Sequence, residues 1–455
     1  MTSTDAAPAG TTTADIIDAL ADISGGDALD AARRRRHDAR EHAQGSFAAF
    51  FVPDDVTQVS LAERAAVALF VARLHEQEAA IAFYGALLRE TGRDLGAGAG
   101  EALEPFIVAE AARASGQGPF GAFRAENVSE STTGPEYRVS SVDAAYALGD
   151  RLAAALEHAH LLVLHPRDGS RGALGTLLDA GWSTTGVVTI SQLISFLTFQ
   201  LRVVHGLGAV RGSVVAPGVA LEPGRSEALA ELAGSVARAA EARVAAAGGS
   251  VTTLPEHATE TLPAAPSVHE PPRFTQDQLG WKSWIEPLPA ADFTERHYAA
   301  LVERDRVHMP YFRLLARDPE ALRERTLTDL DIFHNPDAGL PRAERELAAA
   351  AASRFNGCVF CASVHARAAS ENGLAWDDVQ RVLDEGVSAR VSTRLDAVID
   401  ATVALTATPI RFGAAHLDAL RDAGLDELSQ LDAIQAGSFF NWANRLMLSL
   451  GEPSV

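Results

Sequence analysis

The chain is poor in cysteine, with only Cys358 and Cys361 among its 455 residues. Two cysteines cannot form the framework of several disulfides that stabilises many small secreted proteins. The first residues also lack the basic start and apolar stretch of a secretory signal. We therefore expect a cytoplasmic protein, in which a closely spaced cysteine pair indicates redox or metal chemistry.

Positive charge is scarce as well. The formal net charge of -21 opposes binding to nucleic acid or to an anionic membrane, so we predict neither partner. The one basic run, Arg33 to Arg36, lies among acidic residues and is predicted to form a solvated helix face. The most apolar long window, residues 187–204, is interrupted by polar side chains, which predicts a buried helix rather than a membrane span.

Aromatic residues make up only 6% of the chain, while alanine and leucine are abundant. Apolar residues recur at helical spacing, and few segments alternate as strands do. Asp27, Ser60 and Asp426 precede such segments as candidate N-caps. The predicted fold class is all-α.

A stretch rich in Gly, Thr and Pro divides the sequence. Residues 246–272 contain five prolines and no apolar period, as is typical of an extended linker. Since one core usually stops growing at about 250–300 residues, two domains are expected. We predict an N-terminal arm at 1–45, a helical domain at 46–245, the linker at 246–272 and a second helical domain at 273–455.

The two predicted domains resemble each other in sequence. Residues 61–88 align with 342–369 at an offset of 281, and 180–208 align with 423–451 at an offset of 243. The different offsets place an insertion of about 38 residues in the first half, assigned to Thr91–Val139. Gln77, Ala80 and Tyr84 then stand where the second half has Cys358, Cys361 and His365, so the first copy is predicted to be degenerate.

The segment Asn356–Ser370 carries the candidate chemistry. Cys358, Cys361 and His365 are spaced three and four apart, which places them on one face of a helix. Asn356-Gly357 predicts that the helix begins there, where its dipole favours a thiolate. An imidazole nearby can accept the thiol proton or stabilise the thiolate charge.

Two carboxylates precede this segment, and they differ in their counterparts. Glu344 aligns with Glu63 and is predicted to be structural, whereas Glu346 aligns with Ala65 in the copy without cysteines. Glu346 is therefore the candidate to orient His365 or relay a proton. Zinc binding is the main alternative for the cysteine pair, but a tetrahedral site needs a fourth ligand that the spacing does not nominate. We predict no metal and no other cofactor.

Glu346, eleven residues and then Cys358-Val-Phe-Cys361-Ala-Ser-Val-His365 resemble the active-site motif of the AhpD-like alkylhydroperoxidases of the carboxymuconolactone decarboxylase superfamily. The resemblance covers the second half, and the first half is similar to a related domain without the active residues. It implies tandem AhpD-like helical domains, a homo-oligomer with a trimer favoured, and a peroxidase without metal or haem.

Carried over by position, the resemblance implies that Cys361 is the peroxidatic thiol, Cys358 the resolving thiol, and His365 with Glu346 the proton relay. Phe360 is a departure, because some family members have a histidine there. The expected partners are a peroxide substrate and a dithiol reductant, such as a lipoyl or thioredoxin-like group. A thiol–disulfide oxidoreductase and a redox-responsive scaffold remain alternatives, while lactone decarboxylation is disfavoured because it needs no thiols.

Overall fold

The computed structural model describes residues 14–92, 98–252 and 254–455. Up to residue 246 these residues form helices joined by loops and short 3₁₀ turns. The helices are α1 (Ile16–Ala21), α2 (Ala28–Arg34), α3 (His37–Phe51), α4 (Leu61–Leu74), α5 (Glu78–Thr91), α6 (Ala99–Ala114), α7 (Val142–Leu164), α8 (Arg171–Asp179), α9 (Thr184–Arg211) and α10 (Pro223–Ala246).

The rest of the chain adds nine helices and one small sheet within the described residues. These elements are β1 (Gly280–Ser283), α11 (Glu295–Ala300), α12 (Pro310–Leu315), α13 (Pro319–His334), α14 (Arg342–Asn356), α15 (Val359–Glu371), α16 (Trp376–Glu385), α17 (Thr393–Thr406), α18 (Ala414–Asp422), α19 (Glu427–Leu450) and β2 (Gly451–Ser454). β1 and β2 pair antiparallel, with Gly280 opposite Ser454. The predicted all-α class is confirmed.

Helices α9 and α19 pack against each other at the centre of the molecule. They approach closely at Gly206, where an added Cβ would lie 2.6 Å from the side chain of Ile434. α9 is the one helix of the described residues long and apolar enough to cross a membrane, and its most apolar window is wholly buried within the protein. It contains the 187–204 window, whose burial was predicted.

The hydrophobic core runs through both halves of the chain. A single cluster of buried side chains extends from Ile16 in α1 to Leu450 at the end of α19. Within the 246–272 stretch, the Glu260 carboxylate accepts hydrogen bonds from Thr184 at the start of α9. The predicted domain boundaries stay predictions. Of the predicted arm, residues 1–13 lie outside the described residues, and the remainder forms α1, α2 and part of α3.

The basic run is only partly solvated, which corrects the prediction for Arg33 to Arg36. Arg33 and Arg36 are buried, while the two arginines between them are exposed. Arg33 pairs with Asp15 and Asp18, and Arg36 pairs with Asp432 of α19. The acidic partners that neutralise the run include one almost 400 residues away, so the local sequence did not reveal its burial.

Paired contacts relate the two aligned halves. Arg64 in α4 and Arg345 in α14 each donate Nε to the carbonyl five residues earlier. Each also donates Nη1 to a preceding helix, at Phe50 and Ile332 respectively. Two arginines offset by 281 residues therefore brace the starts of their helices in the same way.

A second pair makes reciprocal contacts between the halves. Nη2 of Arg202 in α9 donates to the carbonyl of Thr406, and Nη2 of Arg445 in α19 donates to the carbonyl of Val163. Donors and acceptors are both offset by 243 residues, as the alignment requires. These contacts favour the duplication, which stays a prediction. Its assigned insertion holds α6, while residues 93–97 lie outside the described part.

Two of the three candidate N-caps bond to their helices. Ser60 forms a capping box with Glu63, and Asp426 accepts from the Ser429 N–H. Asp27 occupies the N-cap of α2 without a side-chain bond to that helix.

Ser60→Ala is expected to lower the free energy of unfolding by about 1 kcal/mol, since it removes the acceptor for the N–H of Glu63. Urea denaturation followed by circular dichroism measures the change. Ser226→Ala, at an exposed position inside α10, is the control and should unfold near the wild-type midpoint. Equal midpoints for both variants would contradict the assigned cap.

Candidate active site

The two cysteines lie at a tight turn between α14 and α15. Gly357 ends α14 with φ of 80°, and Cys358 is the N-cap of α15. A Cβ at Gly357 would lie 2.6 Å from the side chain of Arg167, which itself donates to the Phe355 carbonyl at 2.9 Å. Glycine is thus required both for the left-handed backbone and for the close approach of the first half. A helix does begin just after Asn356-Gly357, at Val359, but Cys358 precedes its first residue, so only Cys361 and His365 lie on the predicted helical face.

The sulfur atoms of Cys358 and Cys361 lie 2.9 Å apart as free thiols. Both residues are buried, with 2% and 5% of their surface exposed. Cys361 occupies the third position of α15, within the first turn, where unpaired N–H groups and the helix dipole favour negative charge.

The two thiols differ in acidity. Burial raises the pKa of Cys358 well above its usual value, and the neighbouring Cys361 raises it further. Burial alone would also raise the pKa of Cys361, but hydrogen bonds from Cys358 and Asn444 lower it. The positive charges of His365 and Arg325 add to that effect, so the pKa of Cys361 falls below its ordinary value. Cys361 is therefore the sulfur that ionises first.

His365 faces Glu346 across the α14–α15 pair. Its Nδ1 lies 2.6 Å from Oε2 of Glu346, and its ring packs 4.1 Å from that of Phe440. Burial would lower the pKa of His365, but the hydrogen bond and charge of Glu346 raise it overall. Burial would raise the pKa of Glu346, which His365 and Arg342 lower overall. The two groups therefore form a partly buried ion pair.

Glu344 is on a different face of α14. Its carboxylate pairs with Arg394 of α17 at 2.9 Å, as the aligned Glu63 pairs with Arg151 of α7 at 2.8 Å. Glu344 thus makes a contact repeated in both halves, whereas Glu346 binds His365. This contrast agrees with the different roles predicted for the two carboxylates.

Glu346→Gln is expected to slow alkylation of Cys361 by iodoacetamide at neutral pH by roughly tenfold, the factor that about 1.4 kcal/mol supplies. Without the carboxylate His365 loses the charge that raises its pKa, and Cys361 loses a cation that favours its thiolate. The alkylation rate of the variant, measured as a function of pH, should therefore rise at a higher pH than that of the wild type.

Glu344→Gln is the matched control, because it removes a carboxylate two residues away that does not contact His365. It should leave the pH profile of alkylation unchanged. If both variants shifted the pH profile of alkylation equally, the acidity of Cys361 would depend on helix α14 as a whole and not on the His365–Glu346 pair.

Residues 319–404 match the family model described as "Carboxymuconolactone decarboxylase family". This segment is a carboxymuconolactone decarboxylase (CMD) domain. It extends from α13 into α17 and includes all four predicted site residues, Glu346, Cys358, Cys361 and His365. Neither the curated proteins nor the solved structures gave a match.

The sequence patterns did not indicate several residues that lie near the cysteines of the CMD domain. Asn444 of α19 hydrogen-bonds to Cys361, and Asn444 is held by Ser353 and Asn356 of α14. The alignment offered a signal, since Asn444 corresponds to Leu201 in the first half. It is the same polar-for-apolar contrast that singled out Glu346.

Two charged residues of α13 were missed as well. Arg325 is buried, and its charge lowers the pKa of Cys361. Asp329 is half-buried and helps to raise the pKa of His365. They lie four residues apart on one helix face, but nothing in the sequence related that face to a motif more than 25 residues later.

The aligned positions of the first half carry different groups. Gln77 is the N-cap of α5, as Cys358 is of α15 in the CMD domain. Its amide donates to His205, and Tyr84, at the position of His365, bonds to Gln200. The predicted loss of the cysteine chemistry in this half is consistent with these contacts.

The zinc alternative receives no support from side-chain grouping. In the parts of the chain that the structure describes, no cluster of three or more His, Cys, Asp and Glu side chains is arranged to hold a metal ion.

Proposed function

We propose that this protein is a thiol-dependent peroxidase that reduces organic hydroperoxides or hydrogen peroxide through a cycle between Cys361 and Cys358. The observation that carries the proposal is the pairing of a thiol of lowered pKa with a second sulfur 2.9 Å away. The CMD family includes alkylhydroperoxidase-like enzymes and decarboxylases, and a dithiol is needed only for the former chemistry.

In the first step the Cys361 thiolate attacks the terminal oxygen of the hydroperoxide. The S–O bond forms as the O–O bond breaks, which yields a sulfenic acid and an alkoxide that takes up a proton. Apolar rings close to the site, those of Phe333 and Phe440 beside His365, favour an organic peroxide over hydrogen peroxide.

In the second step Cys358 attacks the sulfenic acid sulfur, and water leaves as the disulfide forms. The thiolate of Cys361 contributes to the raised pKa of Cys358, and oxidation removes that negative charge. The first step therefore lowers the pKa of Cys358 and prepares it for the second. Cys358 therefore becomes a nucleophile only when Cys361 is a sulfenic acid.

An external dithiol then reopens the disulfide through a mixed disulfide. Because both sulfurs are buried, a reductant on a slender arm, such as a lipoyl group, fits the site better than the folded surface of a protein. The same burial disfavours the alternative function as a thiol–disulfide oxidoreductase of protein substrates. We propose that the enzyme acts in the cytoplasm as a homo-oligomer, for which a trimer is favoured.

One equivalent of cumene hydroperoxide added to the reduced protein is expected to convert the cysteine pair to a disulfide. Intact mass spectrometry should show the loss of two hydrogen atoms, and a bridged Cys358–Cys361 peptide should appear after digestion without reductant. If both cysteines still react with iodoacetamide after the peroxide is added, the proposed cycle does not operate.

A further inference from the structure

A tyrosine beside Arg325 has a hydroxyl group without a partner. Tyr311 lies in α12, and its hydroxyl oxygen is buried with no hydrogen bond to the described residues. The ring of Trp281 packs edge-on against the ring of Tyr311, with 5.6 Å between the ring centres. An unpaired buried hydroxyl costs about 1–3 kcal/mol, so its presence at a site of chemistry points to a ligand that completes the bond.

Arg325 connects this tyrosine with the reactive thiol. Its guanidinium carbon lies 5.7 Å from the ring centre of Tyr311, and 5.2 and 5.9 Å from those of Phe439 and Trp442. The same positive charge lowers the pKa of Cys361. The arginine is held among aromatic rings with its charge shared between the tyrosine and the thiol.

Burial raises the pKa of Tyr311 to about 12, and the charges of Cys361 and Cys358 contribute to the increase. The phenol is thus protonated at neutral pH, and its pKa depends on the ionisation of both sulfurs. A group with this pKa is still acidic enough to protonate an alkoxide, whose conjugate acid is far weaker than a phenol.

The first step of the proposed reaction releases an alkoxide, and this alkoxide takes up a proton. The imidazole of His365 uses Nδ1 to bind Glu346, and its positive charge supports the thiolate before the attack. Phe360, between the two cysteines, has no proton to give. A separate donor at the oxygen that leaves when the O–O bond breaks allows the His365 imidazolium to keep its charge.

We propose that Tyr311 is a further catalytic residue, whose hydroxyl binds the departing oxygen of the hydroperoxide and protonates it. This inference rests on the proposed peroxidase function. The Cys361 sulfur bonds to the terminal oxygen, the O–O electron pair leaves on the alkoxide, and the Tyr311 proton converts the alkoxide to an alcohol. The tyrosinate beside Arg325 then regains a proton from water.

The test uses Tyr311→Phe with three reagents that differ in their need for a proton. Oxidation of Cys361 by cumene hydroperoxide, which releases an alkoxide, is expected to slow by about a hundredfold. Oxidation by peroxyacetic acid releases a stable carboxylate, so its rate should fall by less than about threefold. Alkylation by iodoacetamide needs only the thiolate and should keep both its rate and its pH profile.

Tyr298→Phe, which removes a hydroxyl from a ring packed under Arg304, is the control and should match the wild type with all three reagents. Equal slowing of Tyr311→Phe with both peroxides, or no slowing, would overturn the inference. A displaced pH profile of alkylation would also overturn it, because the hydroxyl would then act on the thiolate. If the wild type itself fails to form the disulfide, the proposed function fails instead.

Discussion

Cys361→Ser is expected to abolish peroxide consumption, with no turnover above that of buffer. A serine hydroxyl remains protonated in the surroundings that ionise a thiol, so it cannot attack the O–O bond. The measurement follows the loss of cumene hydroperoxide with dithiothreitol as reductant. Full activity in this variant would show that Cys361 is not the peroxidatic group.

Cys358→Ser is the matched comparison, since it removes the second sulfur of the same pair. Without added dithiol, this variant should consume about one equivalent of peroxide and stop at the sulfenic acid of Cys361, because no second thiol can convert it to a disulfide. Dimedone should label Cys361 in this variant but not in the wild type. If instead Cys358→Ser alone prevents the first oxidation, the roles of the two cysteines are exchanged.

The pH dependence of that first oxidation follows from the lowered pKa of Cys361. The thiolate reacts, so the rate falls as pH decreases through this pKa and levels off above it. Because the pKa is lowered, the decrease should lie on the acid side of the usual thiol value of about 8.5. A decrease centred at or above that value would contradict the assigned acidity.

Much of the local structure was predictable because it depends on neighbours in sequence. Helical periodicity gave the all-α class, and Ser60 and Asp426 cap their helices as expected. Asn356-Gly357 correctly indicated a helix start at the cysteines, and the Glu346 contrast anticipated its contact with His365. The helix start and the Glu346–His365 contact both involve only the adjacent helices α14 and α15.

What the sequence did not reveal depends on contacts between distant helices. Asn444 reaches Cys361 only because α19 crosses α14, and the charges of Cys361 and Cys358 act on Tyr311 of α12 from a later part of the chain. The burial of Arg36 likewise requires a carboxylate from the far end of the chain. Local spacing contains no information about such pairs, and only the repeated offsets of 281 and 243 hinted at long-range order.

Arg36→Met is expected to lower the free energy of unfolding by about 3–5 kcal/mol. Arg36 binds Asp432 through two bonds of 2.7 and 2.8 Å, and neither side chain is more than 3% exposed. Methionine would fill a similar volume while leaving the Asp432 carboxylate buried without its cation. Urea denaturation measures the loss, which should appear as a lower midpoint with an unchanged slope.

The double variant Arg36→Met, Asp432→Leu separates the lost attraction from the uncompensated charge. It removes both charges, so it should be more stable than Arg36→Met alone, although the N–H of Leu340 then loses its acceptor. Arg304→Met breaks the pair with Glu295, whose side chains are 62% and 84% exposed, and should leave the midpoint near that of the wild type. A midpoint for Arg36→Met as high as that for Arg304→Met would mean that Asp432 finds water or another partner. The pair would then not hold α19 against the N-terminal helices.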